Sequence, residues 1–374
     1  MGHIAILSHT FFPVVGGAEV GVHEIARRLA REHDVTVVTP MPEQWGGAYA
    51  AEAPEPDGYE VLRYPGLFHT ADPRELRRMR RAFTEFRVLR ALHRRKPLTA
   101  VNVHFAGWYG LVARWVRLLL GVPVTLSLIG RTDVYRDLDL RMRRHLLRSI
   151  RLASATTQIS EYCLAGAPLR RPVPVLPYGV DVAAYRPRTG PVGRPVRLVA
   201  LQRLVGLKRV DIVLDALELL EAAEPGRYRL TIAGTGPERE ALQERARPLG
   251  DAVEFAGFVP DEDVPALLEA SDLFVTHTMS ETFGVMFAQA MAAGLPIVAA
   301  STTSVPYVVV DDRNGVLVEP HDAAAFAAAI RALADDPEAF ARISATNRAD
   351  AVRLYDWDRI TVRLLELMPM RRMR

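Results

Sequence analysis

Short β-branched runs alternate with helix-length amphipathic segments along this chain, and the second half repeats the scheme of the first. The candidate strands are Ile4–Ser8, Val35–Thr39, Thr99–Val103, Val122–Leu128 and Ala155–Ile159, then Arg197–Leu201, Arg229–Ala233, Val253–Phe255, Leu273–Thr276 and Ile297–Ala299. Between the first two, Ala18–Arg31 puts Val22, Ile25 and Leu29 on one helical face. Helices are expected at Val210–Glu221, Pro237–Arg247, Asp263–Ala270 and Phe283–Ala293. Strands separated by helices cannot pair as hairpins, so the pattern predicts two parallel, doubly wound α/β sheets. The 374 residues suit two domains of ordinary size. The Pro-, Gly- and Arg-rich stretch Arg186–Pro195 reads as the linker. We therefore expect a first domain over 1–188 and a second over 189–356, facing a cleft.

Composition removes several classes. Hydrophobic residues make up 49% and charged residues 24%, an ordinary globular balance. Cys163 stands alone, so neither an intrachain disulfide nor a cysteine metal cluster is expected. No run of eighteen apolar residues reads as a membrane span, and the first residues do not read as a signal peptide. These features favour the cytoplasm. The net charge is only +3 and mixed, so no nucleic-acid partner is expected. The segment Pro73–Lys96 carries Leu76, Met79, Phe83, Phe86, Leu89 and Leu92 at helical spacing among many arginines. Two readings stand: a helix packed on its domain, which we favour, and a basic face on an anionic membrane at the inner face.

Several loops suit a ligand with phosphates and hydroxyls. Arg203 and Lys208 (QRLVGLKRVD) follow a strand, where two cations five residues apart can straddle two phosphates; a solvated basic loop is the plain alternative. Gly234 and Gly236 lie between a strand and a helix, where small residues let a ligand reach the backbone. Gly16 and Gly17 do the same before the first helix. Glu281 precedes the helix expected to start near Phe283 or Gly284, whose free N–H groups suit a phosphate or sugar hydroxyls. Gln289 lies eight residues on. A carboxylate and an amide together suit a polyhydroxylated ligand. Helix capping and a surface polar residue are their plain alternatives. No paired-aspartate motif suited to a donor-bound metal is present in these loops, so no metal is expected.

With these segments in view, the chain resembles the retaining GT-B glycosyltransferases of family 4. The resemblance runs through GGAEVGVHEIARRLAREHDVTVVTP, VNVHFAGWYG, LPYGVDVAAYRP, QRLVGLKRVD, IAGTGPERE, FAGFVP and SDLFVTHTMSETFGVMFAQAMAAGLPIVAA, in the family's order. It implies two Rossmann-like domains, with a helix over 357–374 packing back on the first. The first would take the acceptor and the second a nucleoside-diphosphate sugar, UDP or GDP foremost. The acceptor would be a small molecule, glycan or lipid. By resemblance, Arg203 and Lys208 hold the diphosphate. Glu281 contacts the sugar with backbone groups of Thr282, Phe283, Gly284 and Val285. Phe258 and Val259 touch the base, and His104 faces the sugar or acceptor. A buried core histidine is the alternative for His104. Asp133 and Tyr135 are weaker acceptor-side candidates, with capping the alternative for Asp133. The chain departs from the family at Gln289, where a second glutamate is usual, and at Thr303–Tyr307 and Leu128–Arg131. A catalytically silent binding subunit, or a phosphorylase, hydrolase or epimerase of the same fold, is the competing function.

Overall fold

The computed structural model describes residues 2–14, 16–41, 57–65, 74–105, 110–188 and 190–371. Pro73 and the side chains of Leu76, Arg77 and Arg78 lie outside the described residues. The chain divides into two compact units, Met1–Tyr178 with Trp357–Arg374, and Gly179–Asp356.

The first unit contains strands β1 (His3–Leu7), β2 (Asp34–Pro40), β3 (Glu60–Tyr64), β4 (Ala100–His104), β5 (Val124–Leu128) and β6 (Ala155–Gln158). They form one sheet in the order β3-β2-β1-β4-β5-β6, with every pairing parallel. Its helices are α1 (Gly17–Leu29), α2 (Arg74–Arg95), α3 (Gly110–Trp115) and α4 (Leu140–Leu152). Val22, Ile25 and Leu29 of α1 are buried together as their spacing requires. Asp139 caps α4 by accepting from the Met142 N–H at 2.8 Å.

The second unit repeats the plan. Strands β7 (Val196–Leu201), β8 (Tyr228–Ala233), β9 (Val253–Gly257), β10 (Leu273–Thr276), β11 (Ile297–Ala300) and β12 (Gly315–Val318) stand in the order β12-β11-β10-β7-β8-β9. Again every pairing is parallel. The helices are α5 (Val210–Ala223), α6 (Arg239–Ala246), α7 (Val264–Glu269), α8 (Val285–Ala292), α9 (Val305–Val308), α10 (Ala323–Asp335) and α11 (Pro337–Asp350). Val210, Val213, Leu214, Leu217 and Leu220 of α5 recur at helical spacing and pack with Leu198, Leu230 and Phe326 in one core. Each such side chain contributes about 1.5–3 kcal/mol by leaving water. The segment read as a linker is tied down at its start. Arg188 donates to Asp272 Oδ1 at 2.8 Å and its backbone N–H to Ala293 O at 3.0 Å. Gly179–Arg188 packs with this second unit, as the Val180 N–H bond to Tyr355 O at 2.7 Å shows.

The last helix, α12 (Trp357–Leu367), belongs to the first unit. Trp357, Ile360 and Leu364 are buried on one face. Arg28 of α1 donates to Asp358 at 2.8 Å and lies over the Trp357 ring at 6.0 Å. Among the described residues, no helix is long and apolar enough to cross a membrane.

Candidate functional site

In both sheets the chain changes direction of winding once, between β1 and β4 and between β7 and β10. In open α/β sheets, ligands bind at the carboxyl ends of the strands beside such a reversal, because the two loops diverge there and leave a crevice. In the second unit those loops are Gln202–Lys208 after β7 and His277–Gly284 after β10.

These two loops meet through Lys208 and Glu281. A short 3-10 turn, Gly206–Lys208, carries the lysine inward until it is buried. Its Nζ donates to the Glu281 carboxylate and lies 3.4 Å from Thr278 Oγ1. Glu281 is fixed through its backbone, whose N–H donates to Thr303 Oγ1 at 3.0 Å. Thr303 belongs to the stretch where the chain departs from the family pattern, and its φ of +41° is left-handed. Arg203 stands exposed on the same loop as Lys208. Gly284 sits just before α8 at φ +81°, and a Cβ there would meet the Phe287 ring at 2.7 Å. This turn delays the helix to Val285, one or two residues past the expected start. Phe283 is buried against Tyr355, with ring centroids 5.5 Å apart. Thr282 is half-buried in the turn between them.

Gln289 is half-buried on α8, and its side chain hydrogen-bonds the Tyr185 hydroxyl. Burial pushes the Tyr185 hydroxyl well above its ordinary pKa, and the Gln289 hydrogen bond partly offsets that rise. Gly234 and Gly236 press against the β7 loop. A Cβ on Gly234 would lie 1.9 Å from Gln202 O, and one on Gly236 2.2 Å from Leu204 O. The approach these glycines allow is thus between two loops of the chain itself. The Phe258 side chain is 70% exposed beyond β9, and Val259 beside it is half-buried.

In the first unit, His104 ends β4 with both ring nitrogens engaged. Asn102 donates to Ser127 Oγ at 3.0 Å, which turns its Oδ1 toward His104 Nε2 at 2.8 Å. Nε2 therefore carries the proton, and Nδ1 accepts from the Tyr178 hydroxyl at 3.1 Å. Burial lowers the His104 pKa to about 3. This is the core arrangement given above as the alternative to an active-site role: the ring is neutral at ordinary pH and its hydrogen bonds are spent inside the unit. Gly16 precedes α1 and leaves room for Glu19, whose Oε2 a Cβ would meet at 2.7 Å. Glu19 is buried and accepts from the Thr10 hydroxyl. Gly17 is the first residue of α1. Asp133 is fully buried, and Oδ2 accepts from the Ile129 and Gly130 N–H groups at 3.0 and 3.2 Å. It closes the loop after β5, the capping alternative. Tyr135 lies under the Arg143 guanidinium, 5.0 Å from its ring centroid.

Comparison with known proteins agrees with this architecture. Residues 15–184 match the family described as Glycosyltransferase Family 4, and residues 181–350 match Glycosyl transferases group 1. The chain is 31% identical to a D-inositol 3-phosphate glycosyltransferase of Xylanimonas cellulosilytica, over 94% of this chain and 91% of that relative. It is 28% identical to a GDP-mannose-dependent alpha-(1-6)-phosphatidylinositol monomannoside mannosyltransferase of Mycolicibacterium smegmatis, over 98% of each. In fold it is similar to sucrose-phosphate synthase from Thermosynechococcus elongatus, with a TM-score of 0.75, 20% identity and 98% of each chain covered. Anabaena HepE, solved with UDP, matches with the same score at 21% identity, over 97% of this chain and 98% of that one. Both halves match in sequence, and a relative is alike along almost its whole length, so the protein belongs to glycosyltransferase family 4 and transfers a sugar from a sugar nucleotide.

Proposed function

We propose that the enzyme transfers a hexosyl group, with retention at the anomeric carbon, from a UDP- or GDP-sugar to a hydroxyl of a polyol acceptor, free or lipid-borne. The Lys208–Glu281 pair at the reversal between β7 and β10 carries this reading. A diphosphate offers Lys208 a doubly charged partner in place of one carboxylate. Glu281, released, can accept from two sugar hydroxyls. Arg203, exposed on the same loop, adds a second cation. Gln289 stands for the ribose contact and Phe258 and Val259 for the base contact. Gly234 and Gly236 act indirectly, by seating the β7 loop. The acceptor side belongs to the first unit, where Asp133, Tyr135 and His104 shape the loops; Gly16 and Gly17, which open α1, are read as donor-binding glycines. The choice of UDP or GDP follows the relatives' names, one GDP-mannose-dependent and one structure holding UDP. The polyol class follows the inositol-bearing compounds in two of those names.

A double displacement needs a carboxylate at the anomeric carbon. Glu281 is instead assigned to sugar hydroxyls, so substitution on one face is the consistent route. The bond from the anomeric carbon to the phosphate oxygen breaks, and the acceptor oxygen bonds to that carbon. The acceptor proton passes to the departing phosphate oxygen. Charge grows on the diphosphate, where Lys208, Arg203 and the N–H groups opening α8 stabilise it. Losing one preorganised donor of this kind costs about 2.7–4 kcal/mol. Lys208→Ala should therefore lower turnover by about 100-fold or more while the chain still melts cooperatively. Product formation from UDP- and GDP-sugars by the purified protein tests the reaction, and turnover unchanged in Lys208→Ala would overturn the site.

A cytoplasmic enzyme acting on lipid-borne acceptors would work at the inner membrane face. Support for such contact comes from α2, where Met79 and Phe83 are more than half exposed, and from the turn after α3, where Leu118 and Leu119 are as well. The two strips meet where Phe86 packs edge-on against Trp115. Arg80, Arg87 and Arg114 are exposed around them.

A further inference from the structure

Gln202, the first residue past β7, was not among the expected site residues. Its backbone N–H donates to Ala233 O at 3.0 Å, and the residue is more than nine-tenths buried. Its side-chain Oε1 accepts from the Thr276 hydroxyl at 2.6 Å. That bond fixes which end of the amide points away. The opposite end, Nε2, is buried and has no hydrogen-bond partner among the described residues. Buried donors left unpaired are rare and costly, so a group of this kind calls for an acceptor from outside the chain.

The neighbours say which acceptor. Thr276 ends β10 and Thr278 lies two residues on, in the loop that follows. Thr276 holds Gln202, and Thr278 lies within reach of the Lys208 ammonium. The Gln202 amide and the Lys208 ammonium are thus each contacted by a threonine at the carboxyl end of β10. An amide NH2 can only donate, and phosphoryl oxygens only accept. Gly234 lies hard against the Gln202 carbonyl, which holds the backbone of this loop in place.

We infer that Gln202 is a further donor-binding residue, whose Nε2 donates to a diphosphate oxygen of the sugar nucleotide beside Lys208, with Thr276 as the positioning residue that orients it. This rests on the assignment of the β7–β10 edge as the donor site. It adds a neutral donor to the two cations, so the diphosphate is gripped without a third positive charge.

Binding of UDP, GDP and inorganic pyrophosphate to the purified full chain tests it by calorimetry. Gln202→Met keeps the length and removes the amide. It should weaken UDP or GDP and pyrophosphate about threefold to tenfold and leave the far weaker binding of uridine or guanosine unchanged. Gln202→Glu keeps the shape and the Thr276 bond while replacing the donor by an oxygen, and should weaken them further. Thr276→Val, which unlatches the amide, should raise the donor KM more than it lowers kcat. Wild-type diphosphate affinity in Gln202→Glu, or in a folded Gln202→Met, overturns the inference and assigns Nε2 to a buried water. Lys208→Ala separates the two levels: if it too binds pyrophosphate like the wild type, the donor site itself is misplaced.

Discussion

His104 keeps its proton on Nε2, toward Asn102, and burial holds its pKa at about 3 against an ordinary 6.5. Between those values the unfolded chain binds a proton that the folded unit refuses. Stability therefore falls as pH falls from 6.5 toward 3, by up to about 1.4 kcal/mol per pH unit, and is flat above that window. His9, pushed to about 2 by burial, acts in the same direction. Melting of the first unit should drop from pH 7 to pH 5, and His104→Gln should flatten part of that slope. An unchanged slope would place the acid sensitivity elsewhere. The sequence marked His104 by its place at a strand end, but not its partners. Tyr178, which occupies Nδ1, is 74 residues away. Gln202 escaped notice for the same reason, because its anchor Thr276 is also 74 residues distant. Lys208 and Glu281 were legible as residue types beside strand ends; that they pair with each other was not.

At the scale of elements, periodicity found ten of the twelve strands of the described residues and missed β3 and β12. Both lie at a sheet edge and are only partly buried, but so are β6 and β9, which the pattern did mark, so edge position alone does not explain the difference. The stripe on α2 divides. Phe86, Leu89 and Leu92 are buried, as the packing reading requires, while Met79 and Phe83 face outward. A helical stripe records which residues share a face, and only the neighbouring α3 decides how far the cover extends. The exposed end, with Leu118 and Leu119, should bind vesicles containing anionic lipid and not neutral ones, because partition of the apolar side chains adds to attraction of the arginines. Sedimentation with phosphatidylglycerol vesicles checks this. Leu118→Glu with Leu119→Glu should abolish the binding, and equal pelleting of both proteins would exclude this face.

At the scale of the whole molecule, the chain returns to its first unit after completing the second. Trp357 packs 5.8 Å from the Tyr178 ring, and Arg28 bonds Asp358 across 330 residues. Truncation before Trp357 should expose the face of α1 that α12 covers, lower the melting temperature of the first unit and promote aggregation. The second unit, 179–356, should still fold alone, since its core is drawn from within it. Melting of the truncated chain measures this, and an unchanged transition would show that α12 adds no stability. The sequence by itself determined the parallel α/β plan, the repeat of that plan and the loops that end near the reversals. Those follow from local period and from strands too far apart in sequence to pair as hairpins. Tertiary structure alone decided which polar groups are spent and which remain free. His104 and Asp133 are consumed within the first unit, whereas Gln202 keeps an amide end with no partner among the described residues. Hydrogen-bond satisfaction depends on partners distant in the chain, and no local pattern encodes it.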